Sequence, residues 1–113
     1  MRRGDIVKAA GGGDFLGKPR PALIVQTNLF LDLYPSVTIC PITSHVTGDY
    51  LYRVLLDKSE RTPGVGTGLF FESEIEVDKI TTVWVRRIGG KIGEASAEVM
   101  FEVDIALRRW LGL

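Results

Sequence analysis

Cysteine is nearly absent: Cys40 is the only one in 113 residues, so no intrachain disulfide can form. It sits in the apolar run Val37–Ile42, a setting for a buried, inert thiol rather than a nucleophile. No apolar run approaches the length of a membrane span, and Arg2 and Arg3 lead into Gly4 and Asp5 rather than into an apolar leader. A cytoplasmic protein without membrane attachment is the expectation. Net charge is also absent, with 14 cations against 14 acids. No global field therefore draws the chain toward polyanions. The charge is nevertheless uneven. Residues 1–30 carry Arg2, Arg3, Lys8, Lys18 and Arg20 against Asp5 and Asp14, whereas residues 31–60 carry an acidic surplus. That pattern allows a local basic site in the first third and argues against a broad basic face.

The glycine-rich stretch Ala9–Gly17 lacks the lysine and Ser/Thr of a phosphate-binding P-loop. Three consecutive glycines, Gly11 to Gly13, lose much backbone entropy on ordering, so a loop that closes over a ligand is expected there. With 45% apolar residues, the chain has enough material for one core, and residues 1–113 read as a single domain.

The most informative stretch comes directly after this loop. Gly17-Lys18-Pro19-Arg20-Pro21 opens onto Ala22-Leu23-Ile24-Val25. Proline on each side restrains the arginine backbone, and a restrained, always-charged planar fork suits phosphate or carboxylate recognition.

Periodicity predicts a short first strand over Asp5–Lys8. A second strand, buried on both faces, covers Pro21–Thr27, and a third covers Val37–Ile42. Asn28–Ser36 reads as a helical turn or packed loop. Tyr50–Leu56 reads as a fourth strand with Arg53 facing outward. Residues 57–68 form a turn-rich connection, Leu69–Glu74 a short turn or strand, and residues 75–85 one long fifth strand. Gly89-Gly90 reads as the centre of a tight hairpin. The last element is a helix capped by Ser96, with Val99, Val103, Ala106, Leu107 and Trp110 on one stripe, Arg108 and Arg109 at its end, and Gly112 as its stop. The fold class is mainly β (α+β): a small, strongly bent β-barrel carrying a C-terminal helix.

Six ordered pieces together resemble the MazF/PemK toxins. They are Gly4-Asp5-Ile6-Val7, Arg20-Pro21-Ala22-Leu23-Ile24-Val25, Pro41-Ile42-Thr43-Ser44, Asp78-Lys79-Ile80-Thr81-Thr82-Val83, Ile88-Gly89-Gly90-Lys91-Ile92-Gly93, and Ala106-Leu107 with Leu111-Gly112-Leu113. The resemblance implies an SH3-like barrel of the CcdB/PemK type, usually a homodimer. It also implies a metal-independent, cofactor-free endoribonuclease, an mRNA interferase cutting single-stranded RNA as the toxin of a toxin–antitoxin pair. Arg20 and Thr43 match the family's catalytic arginine and threonine. Many relatives carry an acid five residues before the arginine; here Phe15 stands there and Asp14 one residue earlier. Other relatives read Gln-Ile-Arg-Thr where this chain reads Lys79-Ile80-Thr81-Thr82, so an internal arginine is missing.

The chemistry implied is attack by the ribose 2′-hydroxyl, leaving 2′,3′-cyclic phosphate and 5′-hydroxyl ends. Arg20 would neutralise charge on the phosphate, and Thr43 would orient a phosphoryl oxygen or the hydroxyl. His45 is the only histidine, which excludes a two-histidine mechanism within one subunit. Asp14, Lys18, Ser44, His45 and Lys79 are the candidate RNA contacts, and Phe15, Tyr50 and Tyr52 the candidate stacking aromatics. An acidic antitoxin is the implied partner, with Leu29, Phe30 and Trp110 as candidate dimer residues. Two rival readings remain: a CcdB-like gyrase-binding toxin without nuclease activity, and an SH3-like adaptor that binds an extended peptide.

Overall fold

The computed structural model describes residues 1–10, 18–56, 67–69 and 71–113. Seven strands precede one helix: β1 (Asp5–Ala9), β2 (Arg20–Ile24), β3 (Ser36–Thr43), β4 (Arg53–Leu56), β5 (Ser73–Glu76), β6 (Thr81–Trp84), β7 (Ile88–Glu94) and α1 (Ala97–Leu111). All pairings are antiparallel, in the order β4-β5-β3-β2-β1-β7, with β6 also on β3. Among the described residues the outermost strands β4 and β7 do not pair with each other, so the bent sheet is not closed into a complete barrel there.

The central strands explain the apolar run after Arg20. Leu23 belongs to one core cluster, with Ile6, Cys40, Ile75 and the helix residues Val99, Val103 and Ala106. Ala22 and Ile24 belong to a second, with Val7, Val37, Ile39 and Val83. Side chains alternate faces along a strand, so a continuous apolar run is what two buried faces require. The helix forms as its sequence predicts. The Ser96 hydroxyl accepts from the Val99 N–H at 3.2 Å, and Gly112 ends the helix in the left-handed region at φ 72°. Among the described residues, no helix is long and apolar enough to cross a membrane.

Three local expectations change. The long strand over 75–85 is broken by a 3-10 turn at Val77–Lys79. Ile75 pairs with Ile42 near the end of β3, while Thr81–Trp84 pairs back along Ser36–Ile39 at its beginning. One chain can serve both ends of a bent strand only by turning a corner, and the buried Val77 anchors that corner. Gly89 and Gly90 do not make a hairpin. They lie inside β7, whose register against β1 slips between Ile6 and Val7 and again between Val7 and Ala9. Such bulges account for the glycines that mimic a turn signal. The turn into β7 is instead a 3-10 turn at Val85–Arg87.

Arg53, expected to face outward, is drawn inward. Its side chain is 12% exposed, with Nε 3.0 Å and Nη2 3.2 Å from the Asp78 carboxylate, and Glu74 and Glu76 each at 3.5 Å. β4 correspondingly begins at Arg53 rather than Tyr50.

Candidate functional site

Arg20 is the first residue of β2 and is exposed. On one side it faces Ala9 of β1. On the other, β2 and β3 align Ala22 with Pro41, Leu23 with Cys40 and Ile24 with Ile39. β3 runs on to Thr43, its last residue, which pairs with Glu74 of β5. Arg20 and Thr43, distant in sequence, nevertheless line one cavity of about 380 Å³. Lys8, Pro21, Ser44 and Phe71 contribute to its walls, with Ile42, Leu69 and Ile92 beneath.

The Thr43 hydroxyl accepts a hydrogen bond from the His45 N–H at 3.1 Å. That local bond turns the chain out of β3, and the hydroxyl keeps its own proton to donate elsewhere. Across from Thr43, β5 presents Glu74, which is fully buried. Its carboxylate accepts from the Thr47 hydroxyl at 3.0 Å and the Gly48 N–H at 2.8 Å, with Arg53 at 3.5 Å. Burial alone would raise the Glu74 pKa; the Thr47, Gly48 and Arg53 donors outweigh it and hold the carboxyl below its ordinary value. Glu74 therefore pins the segment that comes after Thr43-Ser44-His45.

The remaining candidates scatter. Ser44 lines the cavity and is exposed. His45 is exposed and is not part of the lining. Lys18 is exposed beside Pro19, also outside the lining. Lys79 is on the corner after β5, with Nζ 3.4 Å from Glu76. Asp14 and Phe15 lie outside the described residues.

Lys8 and Glu74 were not singled out from sequence. Lys8 breaks the apolar pattern of β1, but only the β1–β2 register, which sets it against Pro21, brings it to Arg20's cavity. Among the described residues, no carboxylate pairs with Lys8 or Arg20. Cys40 is removed from the chemistry: burial pushes its thiol up to about 12.

The sequence and fold match known proteins. The profile of the PemK-like, MazF-like toxins of type II toxin–antitoxin systems matches residues 2–111. "Probable endoribonuclease MazF" of Mycolicibacterium smegmatis is 39% identical over 113 residues, covering 100% of this chain and 98% of that protein. Among solved structures, Mycobacterium tuberculosis toxin MazF-mt6 superposes with a TM-score of 0.79 at 27% identity, over 96% of this chain and 97% of that one. MazF in a MazE–MazF crystal from Deinococcus radiodurans gives 0.78 at 25% identity, over 100% and 96%. With the profile spanning nearly its whole length, this chain belongs to the PemK-like, MazF-like toxins of type II toxin–antitoxin systems.

Proposed function

We propose that this chain is an endoribonuclease toxin that cleaves single-stranded RNA without a metal, using Arg20 and Thr43. The observation that supports this reading is the single cavity that Arg20 and Thr43 both line. RNA supplies its own nucleophile. The 2′-oxygen attacks phosphorus, the bond from phosphorus to the 5′-oxygen breaks, one proton leaves the 2′-hydroxyl and another joins the departing oxygen. The products are a 2′,3′-cyclic phosphate and a 5′-hydroxyl.

Arg20 grips two non-bridging oxygens and offsets the charge that builds on them, an electrostatic role rather than that of a base. Lys8 adds a second cation to the same cavity. The Thr43 hydroxyl donates a hydrogen bond that orients a phosphoryl oxygen, and Ser44 stands beside it at the wall. Holding the phosphodiester in line is itself a large part of the acceleration.

The chain acts as one domain over residues 1–113, pairs with a second copy and meets an acidic antitoxin in the cytoplasm. Exposed Leu29, Phe30 and Trp110 support a paired state. The MazE–MazF crystal supports the antitoxin. The gyrase-binding alternative is not favoured, since the 39% identical relative is named an endoribonuclease.

Digestion of a long RNA in excess chelator tests this reading. We expect discrete fragments bearing 5′-hydroxyl ends. Intact RNA, alongside a gyrase–DNA complex trapped by the same preparation, would reverse the choice.

A further inference from the structure

A second cationic cavity adjoins the first. It measures about 530 Å³ and is lined by Lys8, Pro19, Arg86, Arg87 and Gly89. Lys8 lines both cavities. Strand register fixes their separation. Arg20 of β2 faces Ala9 of β1, and Ala9 faces Ile88 of β7, the residue directly after Arg86 and Arg87. Adjacent strands lie about 4.8 Å apart, so the backbone at Ile88, where these cations lead into β7, stands roughly 10 Å from that of Arg20 across the sheet.

The charges there are available. Among the described residues, no carboxylate pairs with Lys8, Lys18, Arg86 or Arg87, whereas Arg3, Arg53, Lys79 and Lys91 are all paired with acids. Arg86 instead lies over the ring of Trp84, 5.7 Å from its centroid, beside an indole that is half exposed. Cations aligned next to an exposed aromatic are the elements of a single-strand binding track.

We infer that Arg86 and Arg87 form a second phosphate-binding site, which holds the RNA backbone beyond the scissile phosphate and is joined to the first site through Lys8. This rests on the reading of the chain as a single-strand RNA nuclease. It assigns the site to substrate backbone rather than to an acidic protein partner.

The test uses the full chain and a mixed-sequence 2′-O-methyl RNA strand, which lacks the attacking hydroxyl and survives the measurement. Affinity is read by fluorescence anisotropy across a salt series. Each phosphate contact on a single strand adds about 0.7 to the slope of log affinity against log salt. Arg86→Ala with Arg87→Ala is expected to flatten the slope by about 1.4, weaken binding several-fold at low salt and leave the melting temperature unchanged. Arg86→Lys with Arg87→Lys is expected to keep most of the slope. An unchanged slope in the alanine pair, with the unsubstituted chain still cleaving RNA, overturns the second site alone. Weakened binding to an acidic antitoxin peptide with RNA binding intact also overturns it. Failure of the unsubstituted chain to bind or cut RNA sinks the nuclease reading and this site together.

Discussion

Arg20 and Arg53 each open a short strand, yet they live in opposite electrostatic worlds. Arg53 is 12% exposed and has Glu74, Glu76 and Asp78 around it. Arg20 is exposed and, among the described residues, has no acid. The difference comes from the cost of burial. A charge removed from water loses several kcal/mol, which only close counter-charges offset. An exposed guanidinium keeps its hydration and can stand alone until a ligand arrives. The paired arginine organises the fold, and the one without an acid among the described residues is the one we propose for substrate.

That contrast can be broken deliberately. Arg53→Ala would leave Glu74, Glu76 and Asp78 crowded without their shared cation, and we expect a loss of about 3–5 kcal/mol in denaturant unfolding. The same truncation at Arg20 should change stability by no more than about 0.5 kcal/mol. Comparable losses at both sites would erase the distinction.

Gly68 probes the wall between the site and β7. It sits at φ +74°, and a Cβ there would come within 1.9 Å of the Ile92 carbonyl oxygen. Gly68→Ala should cost about 2–3 kcal/mol, combining a forced backbone shift with an unfavourable conformation, and should impair cleavage as well. A melting temperature equal to that of the parent would show that the close approach is not maintained.

Glu74 sharpens the paired side through pH. Its folded pKa lies below the ordinary 4.5, so its contribution to stability is full above that value and is lost as pH falls through the depressed one. Glu74→Gln should therefore reduce stability at neutral pH and flatten the acid limb of the stability curve. An acid limb identical to the parent's would assign the pH dependence elsewhere.

The smallest effect is expected at Cys40. With its thiol pushed up to about 12, a thiol reagent at neutral pH should label only unfolded protein, and Cys40→Ala should retain cleavage. Rapid labelling of the folded chain would contradict the burial.

Much of the fold is legible in residue order. The two-faced run of β2 and the capped terminal helix arise from local patterns, because hydrophobic period and capping are near-neighbour effects. The family resemblance also points to Arg20 and Thr43 without any geometry. Other features are hidden because they depend on register. The corner at Val77 arises from β3 serving two partners, and the bulges of β7 turn Gly89 and Gly90 from a hairpin signal into strand interior. Arg53 looks outward in sequence because the alternation over Tyr50–Leu56 carries no knowledge of three acids arriving from β5 and the turn after it. Lys8 joins the cavity only through its alignment with Pro21.

The proposed catalysis turns on the Arg20 guanidinium gripping the phosphodiester that is cut. Cleavage rates of Arg20→Ala and the parent on one RNA, measured beside their unfolding curves, address it most directly. We predict a rate reduced about 10²–10³-fold with an unfolding midpoint matching the parent's. An Arg20→Ala chain that folds and cuts at the parental rate would contradict it.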